Sequence, residues 1–337
     1  MPFALDTPPV VTVPAAWAGV VDRRGRFREV FCAVLERVDD PDARPCDRAL
    51  WRVGEEPPGT GAPVPEEPIR PPLRLLLVSG YGAQCFRGLV RLFDDAEARL
   101  RALDVEVVRA PVTAFGSVAQ NAEIVARTVR NLPGDGRRLV VLGYSKGAAD
   151  VLKVLTDHPD AAARIAAVVT LAGAVGGSPL AEVVPRWLEP LVDLYPGTRC
   201  ETGDDRALAD LRPCARRREL LRLAGPPPMP VYALAAFVPE EEVSAVLRPF
   251  WARLASVDPR NDGMVLWTDQ VAPGSRLLGY LRGDHLAVAM PVERRLPWTA
   301  RLFVTENAYP RIALIEAILR TVAEDLAEPP LGPAPRR

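Results

Sequence analysis

Leu139-Val140-Val141-Leu142-Gly143-Tyr144-Ser145-Lys146-Gly147 is an apolar, β-branched run that ends in Gly-x-Ser-x-Gly, and few folds accommodate it. The run reads as a buried strand, and the residues from Ala148 to Leu155 have helical propensity and period, so Ser145 is expected on a tight turn between strand and helix. Glycines at 143 and 147 remove the Cβ atoms that would collide in such a turn.

The surrounding sequence repeats that rhythm. Strand-like and helix-like segments alternate as strand 73–78, helix about 86–102, strand 105–109, helix 117–131, strand 138–143, helix 146–156 and strand 165–172. Such alternation predicts a mostly parallel sheet with helices on both faces, an α/β fold. Ser117 followed by Gln120 is a capping-box signature for the helix at 117. The rhythm breaks over 176–229, where Trp187, Leu188, Leu191 and Leu194 suggest a short amphipathic piece before Arg/Asp-rich sequence; this segment reads as an inserted cap. Alternation resumes with strand 231–236, a helix near 240–255, strand 276–281 and a last helix, 311–326, with Ile312, Ile315, Leu319, Val322 and Leu326 on one side. Residues 1–70 read as an N-terminal extension whose Phe27, Val30, Phe31, Val34, Leu35 and Val38 form one apolar stripe that packs on the core. The main domain is then 71–337, and a chain of 337 residues with 48% apolar content is expected to form one elaborated domain.

Composition excludes several functions. The net charge of −1 leaves no basic field for a phosphate backbone, so nucleic acid is not an expected partner. No stretch approaches the roughly 18 apolar residues of a membrane span, and the segment Met1 to Asp6 lacks the basic and apolar regions of a signal peptide, so a soluble, cytoplasmic protein is expected. The five cysteines, Cys32, Cys46, Cys85, Cys200 and Cys214, contain no Cys-x-x-Cys pair, and neither a metal nor a cofactor is expected. Cys200 and Cys214 share one segment and could bridge, although buried or free thiols suit a reducing compartment better.

A serine hydroxyl needs a general base, and that base an orienting carboxylate. The chain offers two histidines. His158 lies just past the helix that follows Ser145, in a proline-stopped loop expected on the surface; His285 follows directly after the strand 276–281, where open α/β sheets assemble their sites. His285 is the preferred base. For the acid, Asp258 and Asp262 share the loop before that strand; Asp262 is preferred because Asn261-Asp262-Gly263 forms a turn, whereas Asp258 precedes a proline and starts the bend. Asp284 is expected to be a solvated turn residue. The Glu240-Glu241-Glu242 run reads as a solvated helix start.

The order Ser145, Asp262, His285 resembles that of the α/β-hydrolase superfamily, in its bacterial lipase and esterase branch, where an Asn-Asp-Gly-hydrophobic turn holds the acid and the histidine follows about two dozen residues later. The resemblance covers roughly residues 73–326 by order of elements. It implies an oxyanion hole at Ser79-Gly80-Tyr81, where such lipases carry His-Gly-x, with the backbone N–H groups of Tyr81 and Lys146 as donors. Serine stands where the family usually has histidine. It also implies a serine hydrolase of carboxylic esters acting through an acyl-enzyme on Ser145, with small-molecule or lipidic esters as substrates; an acyltransferase, thioesterase or polyester depolymerase on the same residues, or a silent binding module, are the alternatives. The Lys146 side chain has two readings. It could receive an anionic substrate group, or pair with Asp150 at i,i+4.

Overall fold

A computed structural model of the chain describes residues 19–86, 88–183, 201–223, 227–295, 297 and 308–327. Its centre is an eight-stranded sheet: β1 (Val21–Asp22), β2 (Leu50–Trp51), β3 (Leu73–Val78), β4 (Glu106–Arg109), β5 (Arg138–Tyr144), β6 (Ala167–Leu171), β7 (Val231–Ala236) and β8 (Arg276–Leu281). The spatial order is β1-β8-β7-β6-β5-β3-β4, with β2 also on β8, and every pairing is parallel except β2 with β8. The inner strands read as near-continuous apolar runs because both faces are covered: all six residues of β3 and of β7 are buried.

One face carries α4 (Val118–Asn131) and α5 (Lys146–Asp157); the other carries α1 (Arg24–Arg37), α3 (Glu97–Ala102) and the last helix, α11 (Arg311–Ala327). Four shorter helices are α2 (Cys46–Ala49), α6 (Pro159–Ala162) and the pair α7 (Ala207–Asp210) and α8 (Pro213–Leu221). Two others, α9 (Arg248–Ala255) and α10 (Val292–Arg295), lie in the C-terminal third. The Ser117 hydroxyl accepts from Gln120 N at 3.0 Å and caps α4.

Helix α1 buries Phe27, Val30, Phe31 and Val34 completely against β8 and α11, each contributing about 1.5–3 kcal/mol by leaving water. The same segment closes the β8 edge, β1 along Arg276–Leu277 and β2 along Tyr280–Leu281, so that edge offers no template for another chain. Arg311 fastens this region from the far end of the sequence: fully buried, it bonds Asp95 at 2.9 Å and Asp42 at 3.1 Å and also meets Glu293. Residues 1–18 of the N-terminal extension lie outside the described residues, as do 184–200 and 224–226 of the cap expected over 176–229, including Trp187, Leu188, Leu191 and Leu194.

Several expectations are corrected. The helix expected over 86–102 is a 3-10 turn at Ala83–Phe86 followed by α3 alone. Phe93 adopts φ +50°, is fully buried and donates its N–H to Ala289 O at 3.0 Å, so docking of this residue into the core interrupts the helix. The helix near 240–255 likewise divides into a 3-10 turn, Glu240–Glu242, and α9, with Pro249 at the start of α9. Cys32 and Cys46 form a disulfide that ties α1 to α2, and Cys85 is disulfide-bonded too, so free thiols are not what these three provide. Cys214 is a free, exposed thiol, which removes the Cys200–Cys214 bridge.

Candidate active site

The register of the sheet assembles the site. Val78 at the end of β3 lies opposite Gly143 of β5, so the turn after β3 and the turn after β5 emerge side by side. Ser145 occupies the second turn with φ +57° and ψ −125°, a conformation that costs a non-glycine residue about 1–3 kcal/mol. The surroundings impose it: Ser145 N donates to Leu171 O at 3.2 Å, and Ser145 O accepts from Ala148 N at 3.1 Å and Ala174 N at 2.9 Å. The turn closes so tightly that a Cβ at Gly147 would lie 2.3 Å from Val78 O, and one at Gly143 would lie 2.6 Å from Gly147 O. From the neighbouring turn, Gly80 approaches until a Cβ on it would be 2.6 Å from the Ser145 Cβ.

The two other residues expected at the site converge on this serine. His285 Nε2 is 2.8 Å from Ser145 Oγ, and His285 Nδ1 is 2.7 Å from Asp262 Oδ2. Asp262 is fully buried and its turn is self-supporting: Oδ1 accepts from Met264 N at 2.8 Å and Val265 N at 2.7 Å, while the Asp262 carbonyl accepts from His285 N at 2.8 Å. With the Nδ1–H donated to this carboxylate, Nε2 presents a lone pair to the serine hydroxyl, which is the tautomer that can remove its proton.

Three further residues support this array, and for two of them, Gln270 and Tyr144, the chain carries no local signal. Gln270, fully buried, donates from Nε2 to Asp262 Oδ2 at 3.3 Å and to Ala236 O at 2.8 Å, bridging β7 to the acid loop. Tyr144 donates its hydroxyl to His285 O at 2.5 Å, and burial holds that phenol well above its ordinary range. Asp284 departs from the solvated turn residue expected of it. It is fully buried, accepts from Leu286 N at 3.1 Å and Ala287 N at 2.8 Å through one oxygen and from Ser244 N at 2.7 Å through the other, and so shapes the backbone that presents His285. The short Asx turn at Asp284-His285-Leu286-Ala287 is the one cue the sequence held for it.

The residues set aside in sequence fall elsewhere. His158 caps the far end of α5 from Ser145, beside Glu123 and Arg130. Asp258 bonds Arg260 at 2.8 Å and the Trp267 indole at 3.1 Å. Glu242 pairs with Arg282. Lys146 is 1% exposed and its Nζ meets Asp150 Oδ1 at 2.7 Å and Oδ2 at 3.0 Å. Burial pushes the Asp150 carboxyl up to about 6, against the opposing pull of Lys146, Asn121 and Arg216.

Beside the Ser79 turn lies a cavity of about 320 Å³, lined by Leu77, Ser79, Ala83, Gln84, Ala110 and Met290 among others. Its walls combine the turn after β3, the end of β4 and the segment that follows His285.

No protein-family model matches the chain, and no curated protein sequence matches it. Among solved structures, the metagenomic carboxyl esterase MGS0156 is 41% identical, with 95% of this chain and 97% of that one covered and a TM-score of 0.85. The mature form of the Bacillus licheniformis lipase BlEst2 shares the fold at 20% identity over 73% of this chain and 97% of its own, with a TM-score of 0.51. EstA from Clostridium botulinum does so at 11% identity over 88% and 98%, also with a TM-score of 0.51. A likeness that runs almost the whole length of both chains at 41% identity, on a parallel sheet with a serine at the end of an inner strand, places this chain in the α/β-hydrolase superfamily, among the carboxyl esterases, as a carboxylic ester hydrolase.

Proposed function

We propose that the enzyme cleaves carboxylic esters through an acyl-enzyme on Ser145, with His285 as general base and acid and Asp262 as the carboxylate that orients it. The observation that carries this reading is the continuous hydrogen-bonded chain from Asp262 Oδ2 through both ring nitrogens of His285 to Ser145 Oγ, at 2.7 and 2.8 Å. Ser145 Oγ attacks the ester carbonyl as its proton passes to His285 Nε2. The alkoxide leaves with that proton, and a water activated by the same nitrogen then releases the acid and restores the serine. The N–H groups of Tyr81 and Lys146 hold the tetrahedral oxyanion. Lys146 is the first residue of α5, so its N–H has no acceptor within the helix and stands at the positive end of the helix dipole.

Substrates in this reading are small or lipidic esters whose apolar portion enters the cavity that starts at Ser79. A fluorophosphonate probe and a p-nitrophenyl ester test the assignment together. The wild type is labelled and turns over, whereas Ser145→Ala is not labelled and loses at least about a thousandfold in kcat; equal labelling of the two proteins would remove Ser145 from the role.

We further infer that the enzyme works in an oxidising compartment rather than the cytoplasm expected from its N-terminal residues. The support is the Cys32–Cys46 disulfide together with the disulfide-bonded Cys85, since such bonds persist where thiols are not kept reduced.

A further inference from the structure

Lys146 and Asp150 are a charged pair where the fold has no need of one. Desolvating an ammonium and a carboxylate costs several kcal/mol for each ion, and a cation in the first turn of a helix opposes the helix dipole. A methionine at 146 would fill the same space without either cost.

The partners of the pair show what else it reaches. Asp150 Oδ2 accepts from Asn121 Nδ2 of α4 at 3.3 Å, and Asn121 is 1% exposed. Asn121 grips the loop after β4 from three sides: its Oδ1 accepts from Thr113 N at 3.0 Å and Thr113 Oγ1 at 2.8 Å, and its Nδ2 donates to Thr113 O at 3.1 Å. The next residue, Ala114, accepts from Gly82 N at 3.0 Å, and Phe115 packs its ring on Tyr81 with centroids 4.9 Å apart. A run of hydrogen bonds, continued through the Thr113–Ala114 peptide, therefore leads from the Lys146 side chain to Gly82, the residue after Tyr81. Arg216 of α8, 2% exposed and bonded through Nε to Val175 O at 3.1 Å, adds a second buried cation facing Asp150.

We propose that Lys146, Asp150 and Asn121 are positioning residues that lock the two oxyanion-binding N–H groups, those of Lys146 and Tyr81, into one rigid unit through Thr113 and Ala114. The proposal rests on the oxyanion role assigned above to those two N–H groups. The pair ties the two residues together because separating them would leave an unpaired charge buried on each side, a penalty that apolar packing does not impose. Transition-state stabilisation depends on donors that are already in place when the oxyanion forms.

The decisive variant is the double replacement Lys146→Met with Asp150→Leu, which removes both charges of the pair at once and leaves Arg216 with its Val175 O acceptor and the charges of Glu219 and Asp210. It is expected to fold with the wild-type far-ultraviolet circular dichroism while kcat on a p-nitrophenyl ester falls between about 10- and 100-fold with KM within about twofold. Affinity for a boronic acid, which forms a tetrahedral adduct on the serine, falls in parallel with kcat. Asn121→Leu cuts the run of bonds while leaving both Lys146–Asp150 hydrogen bonds in place, and is expected to give the same split; it serves alone if the double variant does not fold. Lys153→Met, on the same helix but bonded to Glu219 and Asp157, leaves kcat unchanged. A folded double variant or Asn121→Leu with wild-type kcat, or a loss that appears only in KM, overturns the proposal. Activity that survives Ser145→Ala would instead remove the underlying mechanism, so the two failures are separable.

Discussion

At the scale of single residues, the site depends on the absence of side chains as much as on their presence. Gly80 lies so close to Ser145 that an added methyl would sit 2.6 Å from its Cβ and 2.9 Å from its Oγ. Gly80→Ala is therefore expected to displace the serine hydroxyl and lower kcat by about 100-fold with little change in far-ultraviolet circular dichroism; a variant of normal activity would mean that the turn can retreat. A different residue-scale effect belongs to Asp269, whose carboxyl is pushed by burial from 3.8 up to about 6, partly countered by Arg217. Its folded value lies above its unfolded one, so the native state holds a proton that the unfolded chain has released. The stability linked to that proton is complete below about 3.8 and is lost as pH rises through about 6. Asp269→Asn does not titrate. The difference in Tm between variant and wild type should shift in favour of the variant from pH 4 to pH 7, and a difference independent of pH would contradict the assignment.

Elements were legible in the chain to the extent that local pattern and tertiary context agreed. β3, β7 and β8 coincide with the expected strands 73–78, 231–236 and 276–281 because their apolar runs are bounded by proline, glycine or charged residues. The region 86–102 was not legible, since its helical spacing is overridden at Phe93 by a core pocket built from distant residues such as Ala289. That interruption has a functional consequence, because the chain between the Ser79 turn and α3 helps to wall the cavity through Ala83, Gln84, Val90 and Leu92. Ala83→Trp should fill much of it. The expected outcome is a shift in preference towards shorter acyl chains across a series of p-nitrophenyl esters, read as kcat/KM, with the shortest ester within about threefold of wild type. An unchanged chain-length profile would place the acyl group elsewhere.

For the molecule as a whole, stability is distributed between the sheet and covalent ties made by its N-terminal third. The Cys32–Cys46 disulfide joins residues separated by 14 positions, and closing a loop of about 15 residues is worth about 3 kcal/mol in the chain-entropy model. Cys46→Ala is expected to lower the free energy of unfolding in urea by up to that amount, and dithiothreitol, which also opens the Cys85 disulfide, should lower the wild type at least as far as the variant. Thiol titration showing all five cysteines free in native, air-handled protein would remove both this prediction and the oxidising compartment inferred from it. Local pattern suffices for the parallel α/β layering and the turn at Ser145, because strand and helix periods and the glycines around the serine are properties of neighbouring residues. His285 and Asp262 could be nominated as well, since chain order and loop position narrow the choice to few residues. By contrast, the sealing of the β8 edge by β1 and β2, the burial of Asp284 and Gln270 as supports, and the path from Lys146 through Asp150 and Asn121 towards the neighbouring turn exist only in the folded chain. Those contacts join residues far apart in the chain, and their energy comes from burial and hydrogen bonding that no local stretch of sequence contains.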